Sequence, residues 1–473
     1  MKIGFVSLGC PKNLVDTEVM MGQLVADGHE LTPQASEADV IVVNTCSFID
    51  PAKQESVDTI LEMAEYKKSG RAQRLVVAGC LVERYRADIR NNIPEVDAVL
   101  GTNELDKITA LCEGLQPKDR APEPYLYHDL TARIFTTPRH SAYIKIAEGC
   151  DHPCSFCVIP QFRGRFRSRR FESVAQEASR MLAMGVREIN LIGQDTTCYG
   201  EDLGLKNGLA DLLARLAAIP AEHPKWIRFL YAYPNKVTQK LLETIAAHDS
   251  LVKYVDMPLQ HASGSVLKRM KRGAHADIFL KLIERIRATI PGVAIRTSMI
   301  VGFPGETERD FEELCQFVQA AQFERLGVFS YSDEETSGSF HLDGKVDSRT
   351  IYHRKRRLMA IQRGISRAKN KLLVGAEAQV LVEGPSKETE MLWEARLSTQ
   401  APEIDGVCYI NDFGPGEPRI GEMRRMRFTE THDHDLIGEL IDAPEQISRS
   451  VQQSNLFPIL SARAAQSSGI PVR

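Results

Sequence analysis

Three cysteines in the middle of the chain, Cys150, Cys154 and Cys157, are spaced closely enough to bind one inorganic centre. They follow an apolar run, residues 143–146, that predicts a strand, so the thiols lie in the loop after it. Soft thiolates suit iron–sulfur clusters or zinc, and a fully ligated cubane cluster normally takes four cysteines. Three cysteines leave one iron open, and an open iron can chelate the amino and carboxylate groups of S-adenosylmethionine. We therefore expect these catalytic cysteines to hold a [4Fe-4S] cluster that reduces the sulfonium and yields a 5′-deoxyadenosyl radical.

The alternative for this loop is a structural zinc ion, with His152 or a distant cysteine as its fourth ligand. The spacing differs from the paired Cys-x2-Cys knuckles of common zinc sites, and this favours the cluster. Phe156 lies between the last two thiols and has two interpretations. It packs on the adenine of the cofactor, or it only shields the cluster from water.

Three further cysteines, Cys10, Cys46 and Cys80, are distant in sequence, yet each follows a predicted strand of the first 120 residues. The carboxyl ends of parallel strands meet at one edge of a sheet, so we expect these thiols to converge. Convergence predicts a second cluster with an open iron, where an exchangeable sulfur species could bind. Core packing is the alternative, and it is the better interpretation of any single buried cysteine. It is the one we adopt for four cysteines that stand alone: Cys112, Cys198, Cys315 and Cys408.

Two loops of the central region are placed to bind the cofactor. Gly193-Gln194-Asp195 follows the second predicted strand there, and the loop that begins at Gly302 follows the fifth. Glycines let the backbone approach a cofactor, and carboxylates accept hydrogen bonds from amino or ribose hydroxyl groups. We expect cofactor contacts from Gly193, Gln194, Asp195 and Gly302, although a glycine after a strand usually just makes the turn.

Two successive alternations of strand and helix position these residues. The first, residues 1–120, predicts a small parallel α/β sheet. A linker rich in proline and charge, around residues 117–138, leads to the second, residues 136–373. Its six predicted strands and intervening helices indicate a partial β/α barrel, in which ligand sites lie at the carboxyl ends of the strands. The predicted strands of the two regions are 3–8, 40–43, 75–78, 96–100, 143–146, 188–192, 227–230, 254–257, 295–301 and 326–329.

The pattern changes after residue 375. Residues 375–442 contain short alternating runs broken by Gly-Pro turns, which predict a small antiparallel barrel or sandwich. Residues 443–473 are rich in Ser, Gln and Ala without periodicity, and we expect a flexible tail. The fold class is therefore α/β, with an N-terminal parallel sheet, a central partial β/α barrel and a C-terminal small antiparallel β-barrel.

Composition limits the function classes. The 473 residues are 43% hydrophobic and 26% charged, with a net charge of -4, which indicates no overall preference for nucleic acid or membrane. No apolar run approaches the roughly 18 residues of a membrane span, and the first residues predict a strand and not a signal peptide. We expect a cytoplasmic protein, in which cysteines serve as metal ligands or core residues more often than as disulfides.

Charge is distributed unevenly. Residues 345–371 hold ten Lys or Arg against one Asp, whereas residues 375–442 hold fifteen Asp or Glu against six Lys or Arg. An acidic barrel repels phosphate backbones, so direct nucleic-acid binding is not expected, and a basic protein segment suits it better. Alternatively the basic and acidic blocks neutralise each other within the fold. A second basic stretch, residues 163–170, has three alternative roles. It lines the mouth of the site, it stabilises a negatively charged cluster, or it pairs with the barrel, and the sequence does not distinguish among these roles.

Together these residues resemble the radical methylthiotransferases, whose chains combine a three-cysteine domain, a radical S-adenosylmethionine barrel and a small TRAM barrel. The likeness extends from residue 3 to about 442. The segment Leu8-Gly9-Cys10-Pro11-Lys12-Asn13-Leu14-Val15-Asp16 resembles the branch that acts on a ribosomal protein, since the transfer-RNA branch typically has Gln-Met-Asn after that cysteine. Three further segments, 260–263, 331–335 and 402–406, also resemble the ribosomal branch.

The resemblance implies that a methylthio group is added to the β-carbon of one aspartate in small-subunit ribosomal protein twelve, free or within the ribosome. It implies two [4Fe-4S] clusters, an auxiliary one on Cys10, Cys46 and Cys80 and a radical one on the central triad. One S-adenosylmethionine would donate a methyl group to sulfur, and a second would be the radical source. An electron donor protein and a sulfur source are then required. The alternatives are a transfer-RNA adenosine methylthiotransferase and a non-catalytic iron–sulfur factor for ribosome assembly.

Overall fold

The structure is a computed structural model that describes residues 1–115, 125–389 and 391–445. Most of the tail expected over 443–473 lies outside the described residues, as does part of the linker expected over 117–138. No helix in the described ranges is long and apolar enough to cross a membrane.

The N-terminal region is a five-stranded parallel sheet in the order β2-β1-β3-β4-β5. Four strands lie where the apolar runs predict them. The two-residue edge strand β2 escapes prediction, because two residues show no periodicity. The elements are β1 (Lys2–Ser7), α1 (Pro11–Ala26), β2 (Glu30–Leu31), β3 (Val40–Thr45), α2 (Asp50–Ser69), β4 (Arg74–Gly79), α3 (Cys80–Asn92), β5 (Ala98–Leu100) and α4 (Ile108–Cys112).

The central region contains the six predicted strands as two three-stranded parallel sheets, β10-β9-β6 and β11-β12-β13. Helices cover their outer face, and a two-stranded ribbon of β7 and β8 flanks the cysteine loop. The elements are β6 (Ser141–Lys145), β7 (Ala147–Glu148), α5 (Ile159–Arg163), β8 (Arg167–Ser168), α6 (Phe171–Ala183), β9 (Glu188–Ile192), α7 (Gly208–Ala217), β10 (Trp226–Phe229), α8 (Gln239–Ala247), β11 (Tyr254–Asp256), α9 (Gly264–Arg269), α10 (Ala276–Thr289), β12 (Ala294–Val301), α11 (Glu308–Ala321), β13 (Arg325–Ser330) and α12 (Ser348–Lys371).

The C-terminal region is a closed five-stranded barrel in the order β14-β15-β16-β18-β17. Its elements are β14 (Glu377–Pro385), β15 (Trp393–Leu397), β16 (Cys408–Asp412), β17 (Met423–Thr431) and β18 (Leu436–Leu440). The predicted antiparallel pairing is found throughout except between β16 and β18, which pair in parallel. The connection 413–422 leads from β16 to β17, which pairs with β14 and not with β16. The last strand, β18, then lies between β16 and β17 and runs in the same direction as β16.

This small barrel packs on the inner face of the central strands, near the ends where they begin. Side chains alternate across each strand, so Ile189 and Leu191 join the helix-covered core while Glu188 points inward. Glu188 is completely buried and pairs with Arg228 at 3.0 Å and with Arg396 of β15 at 2.7 Å. The acidic barrel is thus fixed at the amino-terminal ends of the strands, opposite the cysteine loop.

Candidate functional site

The loop carrying the central triad is shaped by one glycine. Gly149 has a φ of +81°, and a Cβ there would lie 2.1 Å from the carbonyl oxygen of Arg165. The loop folds back toward the end of α5, because the Cys150 amide donates to the carbonyl of Gly164 at 3.2 Å. Only glycine fits this conformation and this close approach.

The structure brings Cys150, Cys154 and Cys157 together. Burial raises the pKa of Cys150 to about 11 and that of Cys157 to about 12, and the charge of the neighbouring thiols adds to both. Burial also raises the pKa of Cys154, with Arg272 acting in the opposite direction. Each of these thiols is harder to ionise because it is half-buried and because its neighbours would carry negative charge. A bound cation would offset both effects, and metal ligands are thiolates of this kind.

The other three cysteines also converge, at the carboxyl edge of the N-terminal sheet. Cys10 directly precedes α1, Cys46 follows β3, and Cys80 is the first residue of α3. Burial raises the pKa of Cys46, and the charge of Cys10 adds to it. Burial likewise raises the pKa of Cys80 to about 12, where Arg163 opposes the shift and the thiols of Cys46 and Cys10 increase it. A Cβ on Gly9, whose φ is +88°, would lie 3.1 Å from Cys46 Sγ.

Asn13 holds the loops of this second triad in register. Its side-chain amide donates to the carbonyl of Leu8 at 3.1 Å and to the carbonyl of Thr45 at 2.8 Å. These two carbonyls lie just before Cys10 and Cys46, so one buried side chain ties two of the three cysteine loops together.

Arg163, the last residue of α5, brings a positive charge from the central region to the N-terminal triad. Its guanidinium donates to Cys80 Sγ at 3.1 Å and also to the Asn13 side-chain oxygen. It further pairs with Asp16 at 2.8 Å and with Glu148 at 3.3 Å. Of the three roles left open for the basic stretch 163–170, this contact supports stabilisation of a negatively charged cluster.

Helix α5 and the residue before it pack against the N-terminal triad. Val158, next to Cys157, and Phe162 both pack against Cys80, and Ile159 covers them in part. The loop that carries one triad is therefore part of the surface around the other. A cavity of about 320 Å³ opens beside Cys150 and is lined by residues of the same loop and of the segment after α5.

The loop after β9 places its three predicted cofactor residues in different roles. Gln194 donates to Glu148 Oε1 at 2.6 Å, so its amide is engaged within the protein. Gly193 lies against Ala147, where a Cβ would be 3.5 Å from the carbonyl oxygen, an ordinary contact. Contacts of Gly193 and Gln194 with S-adenosylmethionine stay predictions.

Asp195 is buried beside the central triad. Burial alone would raise its pKa, but hydrogen bonds from His152, Thr197 and Cys198 hold that pKa below its usual value. The distances to Asp195 Oδ2 are 2.6 Å from His152 Nε2 and 3.0 Å from Cys198 Sγ. Cys198 is therefore not the plain packing residue that its isolation in the sequence suggests. The sequence did contain one indication of this contact, since Cys198 follows Asp195 by only three residues.

His152 is engaged away from the three cysteines. Its ring stacks on Tyr233 with centroids 3.7 Å apart, and the Arg272 guanidinium covers the Tyr233 ring at 4.5 Å. The ligand atoms that gather around His152 belong to Asp195 and Cys198. This geometry disfavours the zinc alternative in which His152 completes the central triad.

The loop after β12 approaches the triad through aromatic rings. Gly302 has a φ of +82°, and its amide donates to Glu306 Oε2 at 2.6 Å. The next residue, Phe303, meets Phe156 edge-on with centroids 6.5 Å apart. Gly302 thus makes the turn that brings Phe303 to Phe156. Cofactor contacts of Gly302 and Phe156 stay predictions.

The two charge blocks form most of their ion pairs with other partners, and one pair, Arg367 with Asp433, joins them directly. In the basic helix α12, Arg354 and Arg357 pair with carboxylates of α11, and Arg367 pairs with Asp433 of the small barrel at 2.7 Å. Within the small barrel, Arg424, Arg425 and Arg427 are bound to its own carboxylates. The basic residues of the acidic barrel are thus largely occupied, which supports the expectation that it does not bind phosphate backbones.

We expect Gly149→Ala to remove the central cluster. The new Cβ collides with the Arg165 carbonyl and must displace the loop, so iron after anaerobic reconstitution should fall from about eight to about four per chain. Iron analysis and visible absorption check this. Gly28→Ala is the matched control, since Gly28 has a φ of +86° but nothing within 4 Å of the added Cβ. Equal iron in both variants would contradict the steric argument.

Sequence reasoning missed the buried polar network that holds Arg163 beside the N-terminal triad. Asn13, Asp16 and Glu148 carry no chemical signature, and their roles depend on how α1 packs against the central strands. Lys145 Nζ, also buried, lies 2.7 Å from Glu148 and binds Asp16 as well. The one indication in the sequence was Lys145, a charged residue within the apolar strand predicted over 143–146.

Three family models match consecutive parts of the chain. Residues 2–101 match the Uncharacterized protein family UPF0004, residues 144–318 match the Radical SAM superfamily, and residues 374–441 match the TRAM domain. A radical S-adenosylmethionine methyltransferase from Kitasatospora setae, TsrM, has a similar fold. Its TM-score is 0.51 at 14% identity, over 70% of this chain and 74% of that one.

Curated relatives are far more similar in sequence. The ribosomal protein uS12 methylthiotransferase RimO of Solibacter usitatus is 74% identical, over 94% of this chain and 96% of its own length. The protein of the same name from Koribacter versatilis is 57% identical, over 93% of this chain and 96% of its own length.

Proposed function

This chain belongs to the ribosomal protein uS12 methylthiotransferase (RimO) family of radical S-adenosylmethionine enzymes, and we propose that it methylthiolates the β-carbon of one aspartate of uS12. The observation that carries the proposal is the contact between the two cysteine regions, since Val158, which directly follows Cys157, packs against Cys80. Methylthio transfer to an unactivated carbon needs a radical source and a sulfur source close together. Two triads whose regions are in contact meet that need.

Both triads fit a [4Fe-4S] cluster with one open iron. Each supplies three sulfur ligands, and in each a glycine of positive φ brings the backbone close to the cysteine loop. Cys150, Cys154 and Cys157 would hold the radical cluster, and Cys10, Cys46 and Cys80 the auxiliary one. When bound, the clusters and S-adenosylmethionine supply a 5′-deoxyadenosyl radical that removes hydrogen from carbon, and a place where methylthio sulfur is held.

The residues of the chain set up the environment of this chemistry. Arg163 places a fixed positive charge on Cys80, which offsets the negative charge of a thiolate-bound cluster. Val158 and Phe162 are buried against Cys80 and shield that thiol from water, and exclusion of water protects a radical from side reactions. Arg272, beside Cys154, gives the radical triad a cation of its own.

The charge distribution supports uS12, in place of an RNA, as the substrate. Ribosomal proteins are rich in lysine and arginine, and residues 375–442 carry a large excess of carboxylates. An electron donor protein and a sulfur source complete the proposed set of partners, and a cytoplasmic location follows from a ribosomal substrate.

The test is mass spectrometry of ribosomal proteins from a strain lacking this gene. The uS12 aspartate should carry hydrogen where the parent strain carries a methylthio group, and restoring the gene should restore the modification. A methylthiolated aspartate in the deletion strain would overturn the proposal. Loss of a methylthio-adenosine from transfer RNA would assign the alternative activity, and a failure of reduced protein to release 5′-deoxyadenosine would favour a non-catalytic assembly factor.

A further inference from the structure

Among the residues that the structure describes, one buried cation has no carboxylate within ion-pair distance. Within the described ranges, eight Lys or Arg residues are buried as whole residues, and seven of them lie within ion-pair distance of an Asp or Glu. The eighth is Lys12, with 9% of its surface exposed. The seven paired residues are Lys145, Arg163, Arg169, Arg228, Arg354, Arg396 and Arg424.

Lys12 lies where the N-terminal sheet meets the central strands. It is the second residue of α1, two positions after Cys10, and its Nζ sits 3.4 Å from the ring centroid of Tyr231, just after β10. The groups that face its charge are the Tyr231 ring, the Cys10 thiol and the Arg163 guanidinium. A buried ammonium on an aromatic face, next to a second cation, is poorly compensated without an anion.

Tyr231 is held in place at a conformational cost. Its φ is +66°, which is uncommon for a bulky residue. Two main-chain hydrogen bonds hold it there: its amide donates to Asp256 Oδ2 at 2.9 Å, and its carbonyl accepts from Thr196 at 3.1 Å. Backbone strain that the surroundings maintain clusters at ligand sites, and here it fixes the ring beneath Lys12.

We propose that Lys12 and the Tyr231 ring form the subsite that binds the carboxylate of the substrate aspartate. This inference rests on the proposed function, because that function supplies an anionic side chain whose reacting carbon is bonded directly to the carboxylate carbon. An ammonium holding the carboxylate beside Cys10 fixes the β-carbon next to the auxiliary triad. Lys12 is on this view a positioning residue, which acts by orientation.

An alternative role for Lys12 is to neutralise a cluster bound by Cys10. Arg163 already contacts Cys80 Sγ at 3.1 Å, so this triad has a cation of its own. The two roles differ in what they predict for Lys12→Met, which keeps the length of the side chain and removes its charge. Loss of cluster compensation should change iron content, whereas loss of a carboxylate subsite should change substrate preference.

The experiment compares anaerobic binding of uS12 and of its variant with asparagine at the target position to the reconstituted full chain. The wild-type protein should bind the aspartate form at least about tenfold more tightly, because asparagine lacks the charge that the ammonium requires. Lys12→Met should remove this preference with unchanged iron, and Lys12→Arg should restore part of it. Lys68→Met is the control, since that lysine is 60% exposed and pairs only with Glu65.

Three results would overturn the inference. Equal binding of both forms by the wild-type protein would show that it does not recognise the charge of the target aspartate. A full preference in Lys12→Met would show that Lys12 is not the group that recognises this charge. Loss of about four irons in Lys12→Met would assign the residue to the auxiliary cluster. If the wild-type protein leaves uS12 unmodified, the proposed function itself fails. This outcome is distinguishable because product formation is measured separately from the binding preference and the iron content.

Discussion

Replacing Cys150, Cys154 and Cys157 together by alanine should abolish 5′-deoxyadenosine release, while replacing Cys10, Cys46 and Cys80 should preserve that release and abolish methylthio transfer. The reason is the division of labour proposed for the triads: one generates the radical and the other holds the sulfur. Each triple variant should retain about four irons per chain after anaerobic reconstitution, against about eight in the wild type. Chromatography of the nucleoside product, mass spectrometry of uS12 and iron analysis check the three quantities.

The matched control replaces three other buried cysteines, Cys112, Cys315 and Cys408, by alanine. These thiols lie apart from one another in the N-terminal, central and C-terminal regions, so iron and product should stay at wild-type values. Small losses of stability of about 1 kcal/mol per site are expected from lost packing. Full methylthio transfer by the variant lacking Cys10, Cys46 and Cys80 would contradict the proposed role of the auxiliary triad.

Arg163→Met should lower the free energy of unfolding by about 3–5 kcal/mol, because it leaves buried carboxylates without one of their cations. Arg163 pairs with Asp16 and Glu148, and only Lys145 would remain to pair with both. The substitution also removes the donor to Cys80 Sγ, so we expect weaker iron retention by the auxiliary triad. Thermal unfolding and iron loss to a chelator measure the two effects.

The stability difference between Arg163→Met and the wild type should depend on pH in a defined direction. Burial alone would raise the pKa of Glu148, but Lys145 and Arg163 hold that pKa down at about 2. The ionised Glu148 therefore stabilises the native protein above its ordinary pKa of 4.5, and this contribution is lost as the pH falls toward 2. The two unfolding temperatures should converge on acidification below about pH 4.5.

Arg165→Ala is the control for this series, since the Arg165 side chain is 91% exposed and lies 3.6 Å from Asp151. An exposed pair of this kind contributes little, so stability should change by less than about 0.5 kcal/mol. Equal destabilisation by both substitutions would show that the buried network contributes nothing specific.

Local periodicity was sufficient to predict most elements of this fold. The strand 188–192 has the bounds that its short apolar run indicates. Convergence of Cys10, Cys46 and Cys80 was also predictable, since parallel strands place their carboxyl ends at one edge. The parallel pair in the small barrel was not, because strand direction there depends on a crossing connection.

The features that join the regions could not be read from the sequence. The position of Val158 against Cys80, the pairing of Arg163 with Asp16 and the contact of Lys12 with Tyr231 all arise from docking of separate folding units. No local pattern encodes such docking. Cys198 shows the same limit, since its isolation in the sequence concealed its contact with Asp195.

The position of the small barrel also determines the direction of access. Arg396 reaches Glu188, and Asp405 accepts a hydrogen bond from the Tyr254 hydroxyl at 2.7 Å, so residues of the small barrel fill the interior where the central strands begin. Apolar contacts of Leu381 and Met423 with the same inner face complete the seal. Within the described residues, the small barrel therefore closes the end of the central strands that lies opposite the cysteine loop, and a substrate must approach the cysteines from another side.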